Sequence, residues 1–429
     1  MSRRTIKVDT LARVEGEGAL DLTVRDGQVT RAHLRIYEPP RFFEAFLRGR
    51  DFREAPDITS RICGICPIAY IMGACRAMEQ ICDITLDPQL EALRRLVYCG
   101  EWIESHALHV HLLHLPDFLG CQDVVEVAKS HPEAVRRGLR LKKLGNELIR
   151  VVGGREVHPV NLKVGGFYRL PDVERLEALV PELERAVDEA AATVSFLAGL
   201  DFPDYEADYE YLALRHPERY AIELGDLRTS AGVDLPVTSY DELLQEEHVR
   251  HSTALHSRLH HGGLAHLGPL ARYNVNHDQL TPRARAAAEE VGLGPVCRNP
   301  FKSILARMVE IVLAFEEALR IVQSYVPPAA PAAEVHPRAG TGFGATEAPR
   351  GVCYHRYTTD ARGVIEDAKI VAPTSVNQKI IEQDLTGVAQ AHLDLSDDDL
   401  RWRCEQTIRN YDPCISCSAH FLDLHIDRG

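Results

Sequence analysis

The segment DPCISCSAH, residues 412–420, holds Cys414 and Cys417 in a Cys-x-x-Cys pair, with His420 three residues further on. A second pair, Cys63 and Cys66, stands far upstream in RICGIC, residues 61–66. Two residues between cysteines let both sulfurs turn toward one metal within a tight turn or helix start. Four soft thiolates from opposite ends of the chain predict that residues 1–429 close on themselves as one domain around a shared site. Zinc ribbons place both pairs in small knuckles within about 15–20 residues of each other. Here the first pair opens an apolar helix and the second lies beside the C-terminus. Spacing alone leaves two readings, a structural zinc or a catalytic nickel, iron or iron–sulfur site.

The rest of the composition narrows the setting. Of 429 residues, 45% are hydrophobic, enough for a sizeable core. The formal net charge of −14, with no basic block, argues against nucleic acid as a partner. Eleven cysteines occur without an evenly spaced framework, and the start MSRRTIKVDTLARVEG lacks the apolar core of a signal peptide. Together these predict a reducing, cytoplasmic compartment in which cysteines bind metal or are buried singly. No apolar run approaches the roughly 20 residues that span a membrane.

Periodicity gives the coarse architecture. KVDTLARV, ALDLTV and VTRAHLRIY alternate, with Asp26-Gly27 at a turn, and predict a hairpin or small meander. Helical spacing runs through residues 66–83, through 90–115 up to Pro116, and through the stretch that stops at Gly153-Gly154. It recurs as one amphipathic helix over 173–200, as a buried-type helix over 301–325, and over 383–393. Residues 203–300 look mixed, and strand-like sequence fills 352–373.

The surrounding residues resemble one family. RICGIC and DPCISCSAH look like the two signature motifs of the large subunit of nickel–iron hydrogenases. RVEG (13–16), RFFEAFLRGRD (41–51), GGREVHP (153–159), EAPRG (347–351) and APTSVN (372–377) resemble that family's further motifs, in its order. The resemblance is essentially end to end. It implies an α+β, predominantly α fold, with a central long-helix bundle and small peripheral β-sheets.

It also implies a site. Cys63 and Cys414 would be terminal thiolates on nickel, while Cys66 and Cys417 would bridge nickel to an iron carrying carbon monoxide and cyanide. Soft thiolates suit low-valent nickel. Heterolytic cleavage of H2 would place the proton first on the Cys414 sulfur, and Glu15 would pass it on by reorienting. Arg350 would stand over the iron with its guanidinium toward a cyanide, Pro349 would shape the same wall, and Thr374, after Pro373, would donate to the other cyanide. Glu44, His420 and the backbone carbonyl near Ile370 would hold a magnesium or iron ion near the C-terminus. Asp412 would orient the Cys414 loop through hydrogen bonds. Taken singly, Glu15 reads as a turn acid, Glu44 as a helix-surface acid and Arg350 as a surface turn arginine; the company of the other motifs reverses those readings.

Tyr70 stands where many members of the family carry histidine, and its hydroxyl would donate toward a bridging sulfur. The wording CPIAY and NQKIIEQDL resembles the cytoplasmic branch linked to pyridine nucleotides. That implies reversible H2 oxidation coupled to NADP or NAD. No further cysteine set for an iron–sulfur cluster is present, so electrons would leave through an iron–sulfur small subunit and flavin-containing NAD(P) diaphorase subunits. A hydrogen-sensing subunit of low turnover is the alternative. Residues 421–429, FLDLHIDRG, would be an extension removed by a maturation protease after nickel-insertion factors have acted. Cys75, Cys82, Cys99, Cys121, Cys297, Cys353 and Cys404 read as buried single thiols. The histidines of SHALHVHLLH, 105–114, read as satisfied core residues.

Overall fold

Alternating apolar residues at the N-terminus build an antiparallel meander of β1 (Arg3–Val8), β2 (Gly18–Arg25) and β3 (Gln28–Ile36). Asp26 and Gly27 form the expected turn, both with positive φ (51° and 78°), the backbone that matches the twist of a tight hairpin. The computed structural model describes residues 3–419, so His420 and the 421–429 extension lie outside the described residues.

The helical stretches form α1 (Pro67–Cys82), α2 (Pro88–Leu108), α3 (Pro132–Gly153), α4 (Val180–Ala198) and α5 (Ser303–Ser324). α2 packs against both α3 and α5, and α5 against α4, so the long-helix bundle is the centre of the fold. Two boundaries differ from the sequence reading. Pro116 does not end the second helix, which runs on through a wide π turn, His109–His114, into Leu115–Phe118. A proline ring clashes with the carbonyl four residues back in a regular helix, and the wide turn relieves that contact. The helix expected over 173–200 is two, Val173–Glu177 and α4, because Pro181 lacks the N–H that would continue the first and suits the opening turn of the second.

Small sheets surround the bundle, as expected for this α+β class. Residues 203–300 contribute a four-stranded sheet around Glu210–Arg215, and a two-stranded ribbon in which β4 (His256–Leu259) pairs with Leu244–Glu247. An antiparallel sheet of β5 (Gly340–Ala348), β6 (Gly351–Thr359) and β7 (Ile365–Val371) lies on α1. Helix α6 (Pro373–Ala391) begins well before the predicted residue 383, since Pro373 supplies a ready first turn. α7 (Asp397–Arg409) leads to the C-terminal cysteines. Among the described residues, no helix is long and apolar enough to cross a membrane.

The bundle core contains paired charges. Arg272, fully buried, donates from Nε and Nη2 to the two oxygens of Glu310 (2.7 Å each) and from Nη1 to Glu347 (3.1 Å). Its guanidinium lies over the Trp102 ring, 4.4 Å from the centroid. Removing one partner of such a group strands the others without water. Arg272→Met is therefore expected to cost about 3–5 kcal/mol, read as a lowered urea midpoint.

Burial pushes the Glu310 carboxyl up, but the charge and hydrogen bonds of Arg272 override it and hold the group down at about 2. A depressed folded value gives stability that is complete above the unfolded value of about 4.3 and lost as pH falls toward 2. The expected result is acid destabilisation of order 3 kcal/mol across that window. Glu310→Gln should flatten this part of the stability–pH curve, while lowering stability at neutral pH.

Candidate metal centre

The loop between β1 and β2 is fixed by a shared carboxylate. Arg409 donates from Nε and Nη2 to the two oxygens of Asp117 (2.7 Å each), and Arg13 Nη2 donates to the same group (2.6 Å). Arg409 also reaches the Ala12 carbonyl (3.2 Å), and Arg13 reaches that of Leu113 (2.8 Å). This clamp delivers Glu15 to the C-terminal segment, where the Ile415 N–H donates to the Glu15 carbonyl (3.0 Å). Gly16 has φ +85°, and a Cβ there would lie 2.9 Å from both Ile415 Cβ and the Ser416 nitrogen. Glycine is what lets the two segments meet.

The meeting brings all four signature cysteines together. One sulfur from each of Cys63, Cys66, Cys414 and Cys417 lies within 4.8 Å of every other, and all four are buried. Cys63 and Cys414 sulfurs are 3.6 Å apart, and those of Cys414 and Cys417 2.8 Å. Cys66 caps the N-terminus of α1, as its place before Pro67 predicts. The Cys63 sulfur accepts from the N–H groups of Ile65 (3.3 Å) and Cys66 (3.2 Å). The neighbouring sulfurs of Cys414, Cys417 and Cys66 pull the Cys63 thiol well below its ordinary range, whereas burial pushes Cys414 and Cys417 up. Such a cluster favours a thiolate and leaves the others to ionise on metal binding.

The half-buried Glu15 carboxylate stands on this cluster. Its Oε2 accepts from the Cys414 thiol (3.1 Å) and from the Ser416 N–H (3.0 Å). Thr374, in the first turn of α6, accepts the Cys414 N–H at its hydroxyl (3.1 Å). Hence the backbone and the sulfur of Cys414 are each held by a separate residue.

EAPRG is the hairpin between β5 and β6, with Pro349 and Arg350 as its two loop residues. The tight turns best suited to hairpins need positive φ at the first loop position, which proline cannot adopt. Gly351 supplies the left-handed correction instead, at φ +128°. Arg272 Nη2 donates to the Pro349 carbonyl (3.0 Å), so the buried core network positions the turn. Arg350 is 2% exposed and donates from Nε to the Asp412 carbonyl (2.7 Å) and from Nη2 to Asp412 Oδ1 (3.2 Å). Asp412 itself has φ +50°, which turns the chain after α7 toward the cysteines. Arg350 Nη1 is buried with no hydrogen-bond partner among the described residues. An orphaned guanidinium nitrogen on a residue that senses the sulfurs of Cys414, Cys66 and Cys63 fits an anionic group carried by a bound metal.

Tyr70 is buried in α1, its ring edge-on to His355 (centroids 5.8 Å apart), and burial pushes its hydroxyl well up, so it stays protonated. Glu101 of α2 was not among the sequence candidates. Its carboxylate accepts from the Ile68 (2.6 Å) and Ala69 (3.1 Å) N–H groups in the first turn of α1, and so braces the helix that carries Cys66. An acid inside an otherwise apolar helical run was the available signal. Of the other cysteines, Cys75, Cys99, Cys297, Cys353 and Cys404 are buried, but Cys82, at the end of α1, and Cys121, in the loop after Phe118, are only half-buried. His106, His109 and His114 bond Glu310, the Arg409 carbonyl and Asn410 (3.0, 2.9 and 3.1 Å), as expected of satisfied core histidines. His111 departs from that reading, since it is buried and neither ring nitrogen has a hydrogen-bond partner among the described residues.

Glu44 and Ile370 meet at the edge of β7, where Glu44 Oε1 accepts the Ile370 N–H (2.7 Å). In a strand the N–H and C=O of one residue face the same edge, so the Ile370 carbonyl shares it. They line a cavity of about 250 Å³ together with Cys417, Ser418 and Ala419. Burial pushes the Glu44 carboxyl up to about 7 against the Ile370 hydrogen bond. His420 falls just beyond the described residues.

Four convergent thiolates by themselves suit zinc or nickel; comparison with known proteins decides. The sequence pattern of the nickel-dependent hydrogenases matches residues 41–141 and 240–420. The chain is 33% identical over 424 residues to sulfhydrogenase 1 subunit alpha of Pyrococcus furiosus, covering 98% of each. It is 26% identical over 482 residues to the beta subunit of the NAD-reducing hydrogenase HoxS of Cupriavidus necator, covering 98% of this chain and 96% of that one. The crystal structure of an NAD+-reducing [NiFe]-hydrogenase in the H2-reduced state superposes with a TM-score of 0.88 at 27% identity, covering 97% of this chain and 99% of that chain. The chain thus belongs to the nickel-dependent hydrogenase family, as a large subunit whose four-cysteine site activates H2.

Proposed function

We propose that this subunit catalyses reversible H2 oxidation for the reduction of NAD or NADP in the cytoplasm. The observation that carries the catalytic part is the Cys414 thiol donating to Glu15 inside a buried four-cysteine cluster. In this reading Cys63, Cys66, Cys414 and Cys417 would hold a nickel–iron centre, Cys63 and Cys414 on the nickel and Cys66 and Cys417 shared with an iron that would carry carbon monoxide and cyanide. When bound, the metal pair supplies the Lewis acidity and electron acceptance for heterolytic cleavage of H2. Cys414 receives the proton on sulfur and Glu15, 3.1 Å away, takes it onward. The unpartnered Nη1 of Arg350 would be free to donate to one cyanide, with Pro349 setting the turn. The Thr374 hydroxyl, which accepts once from Cys414, still has its own proton to give to the other. Pro373 fixes the helix start that places Thr374, Asp412 holds Arg350, and the Tyr70 hydroxyl would donate toward one of the cysteine sulfurs.

Glu44, the Ile370 carbonyl and His420 are the proposed ligands of a magnesium or iron ion in the cavity beside Cys417. The whole chain, 1–429, is read as one large-subunit domain, trimmed after His420 by a maturation protease once nickel-insertion factors have acted. Electrons then leave through an iron–sulfur small subunit and flavin-containing diaphorase subunits. The NAD-reducing relatives support this choice of acceptor.

Two measurements test the reading. Metal analysis with infrared spectroscopy of the purified complex should find nickel, and bands in the carbonyl and cyanide stretching region; zinc alone, or no bands in mature protein, overturns the nickel–iron centre. Under H2, the complex should reduce NAD+ or NADP+. Reduction of an artificial dye but neither nucleotide removes the proposed coupling and leaves the hydrogenase assignment standing.

A further inference from the structure

A second group of ligating side chains, outside the cysteine cluster, gathers where the loop before β4 meets α6. His251 Nε2 lies 2.7 Å from Glu382 Oε1. His256, the first residue of β4, is 1% exposed, and its Nε2 has no hydrogen-bond partner among the described residues. One ligand atom from each of His251, His256 and Glu382 lies within 4.8 Å of the other two. His33 of β3 stacks on the His251 ring with centroids 3.9 Å apart, which fixes the plane of that imidazole.

The bland account is a His–Glu hydrogen bond at a sheet–helix junction. It satisfies Glu382, which also accepts the Leu34 N–H (3.0 Å), but leaves the buried His256 nitrogen unaccounted for. We propose that His251, His256 and Glu382 form a binding site for a divalent cation of the zinc class. Two imidazole nitrogens and one carboxylate oxygen are a donor set of tetrahedral zinc, with a water at the fourth position. The half-exposed His251 and Glu382 give the ion a way in, and His256 closes the inner side.

The charge state of the imidazoles agrees. Burial first, and the neighbouring His251, His33 and Arg258 next, hold His256 down at about 3, and burial also lowers His251 and His33. The imidazoles are therefore neutral at physiological pH, the form that ligates. Burial pushes the Glu382 carboxyl up to about 7, so a bound cation would displace its proton; Arg31 and Arg258 add positive charge around the group and Asp21 offsets part of it.

An ion here would act as a clamp. Ala254, between the two histidines, pairs with Ala419 of the C-terminal segment, and the Thr253 N–H donates to the Ile36 carbonyl (2.8 Å). Tying this loop to Glu382 joins it to α6, whose first turn holds the Cys414 backbone. The site would thus brace the far end of the cysteine segment without touching the sulfurs.

The test loads the purified complex with zinc chloride, removes excess by gel filtration, and reads metal content and zinc-edge X-ray absorption. The expected result is one zinc per chain beyond the nickel, in a nitrogen/oxygen shell with imidazole scattering. His256→Ala and Glu382→Ala should each lose that zinc and keep nickel. Zinc retained by both variants, a sulfur-only zinc shell, or no zinc held by the unaltered complex overturns the site. If a variant fails to fold, absorption by the unaltered complex decides alone. Nickel measured in the same sample keeps this outcome separate from the fate of the hydrogenase reading.

Discussion

Glu15→Gln is expected to leave nickel and iron in place and to slow isotope exchange between D2 and water by about 10²–10⁴-fold, the range of a positioned acid–base group. Glutamine is nearly isosteric and its carbonyl oxygen can still accept the Ser416 N–H that now holds Glu15 Oε2 at 3.0 Å. The main-chain bond from Ile415 to the Glu15 carbonyl involves no side chain and should persist. What disappears is a group that can take a proton from the Cys414 sulfur. Mass-spectrometric exchange, with infrared bands of the centre recorded on the same sample, separates the two effects. Unchanged exchange would falsify the proton-transfer role, and loss of the bands would mean that Glu15 is needed to build the centre.

Cys63→Ala should remove nickel and bring H2 oxidation to background while leaving the circular-dichroism spectrum of the helices intact. The Cys63 sulfur touches that of Cys414 (3.6 Å) and accepts two backbone N–H groups at the head of α1. Its loss opens the ligand set on the side that the chain cannot refill, because its neighbours Ile62, Gly64 and Ile65 carry no side-chain ligand atom. The fold should survive because a buried thiol costs only about 1–2 kcal/mol to truncate, and α1 remains packed under the β5–β7 sheet. Activity that persists with nickel at full occupancy would remove Cys63 from the ligand set. Cys417→Ala offers the same test from the opposite end of the chain.

Most of the helical bundle was legible because its apolar residues repeat at helical spacing, and its prolines and glycines mark real boundaries. The exceptions have local causes. Pro116 was overruled by a π turn, whose wider hydrogen-bond pattern leaves no mark in residue types. The α6 start was hidden because Thr374, Ser375 and Asn377 are polar yet buried, so the period is invisible until the contacts to Cys414 and Leu267 are seen.

The four cysteines could be paired by spacing, and their convergence is what the fold delivers. Their metal could not be chosen from spacing, since zinc and nickel accept the same donors; the family comparison chose it. Glu15 and Arg350 were legible only through motif company, because a turn acid and a turn arginine look alike whether or not a sulfur cluster stands behind them. Glu101 and Arg272 went unread for a related reason. Their work is to hold backbone groups of α1 and of the Pro349 turn, and such partners are set by tertiary contact alone.

The C-terminal cysteines are attached to the body differently from the N-terminal pair. Residues 414–419 meet the rest of the backbone through two single bridges, Glu15 to Cys414 and Ala254 to Ala419, whereas Cys66 heads a long buried helix. Peeling a short terminal segment exposes far less surface than unravelling α1, and so demands only part of the global unfolding free energy. In the metal-free chain, therefore, a thiol-alkylating reagent should capture Cys414 and Cys417 from the native ensemble, at a rate insensitive to small additions of urea. Cys63 and Cys66 should react only on the schedule of whole-molecule unfolding.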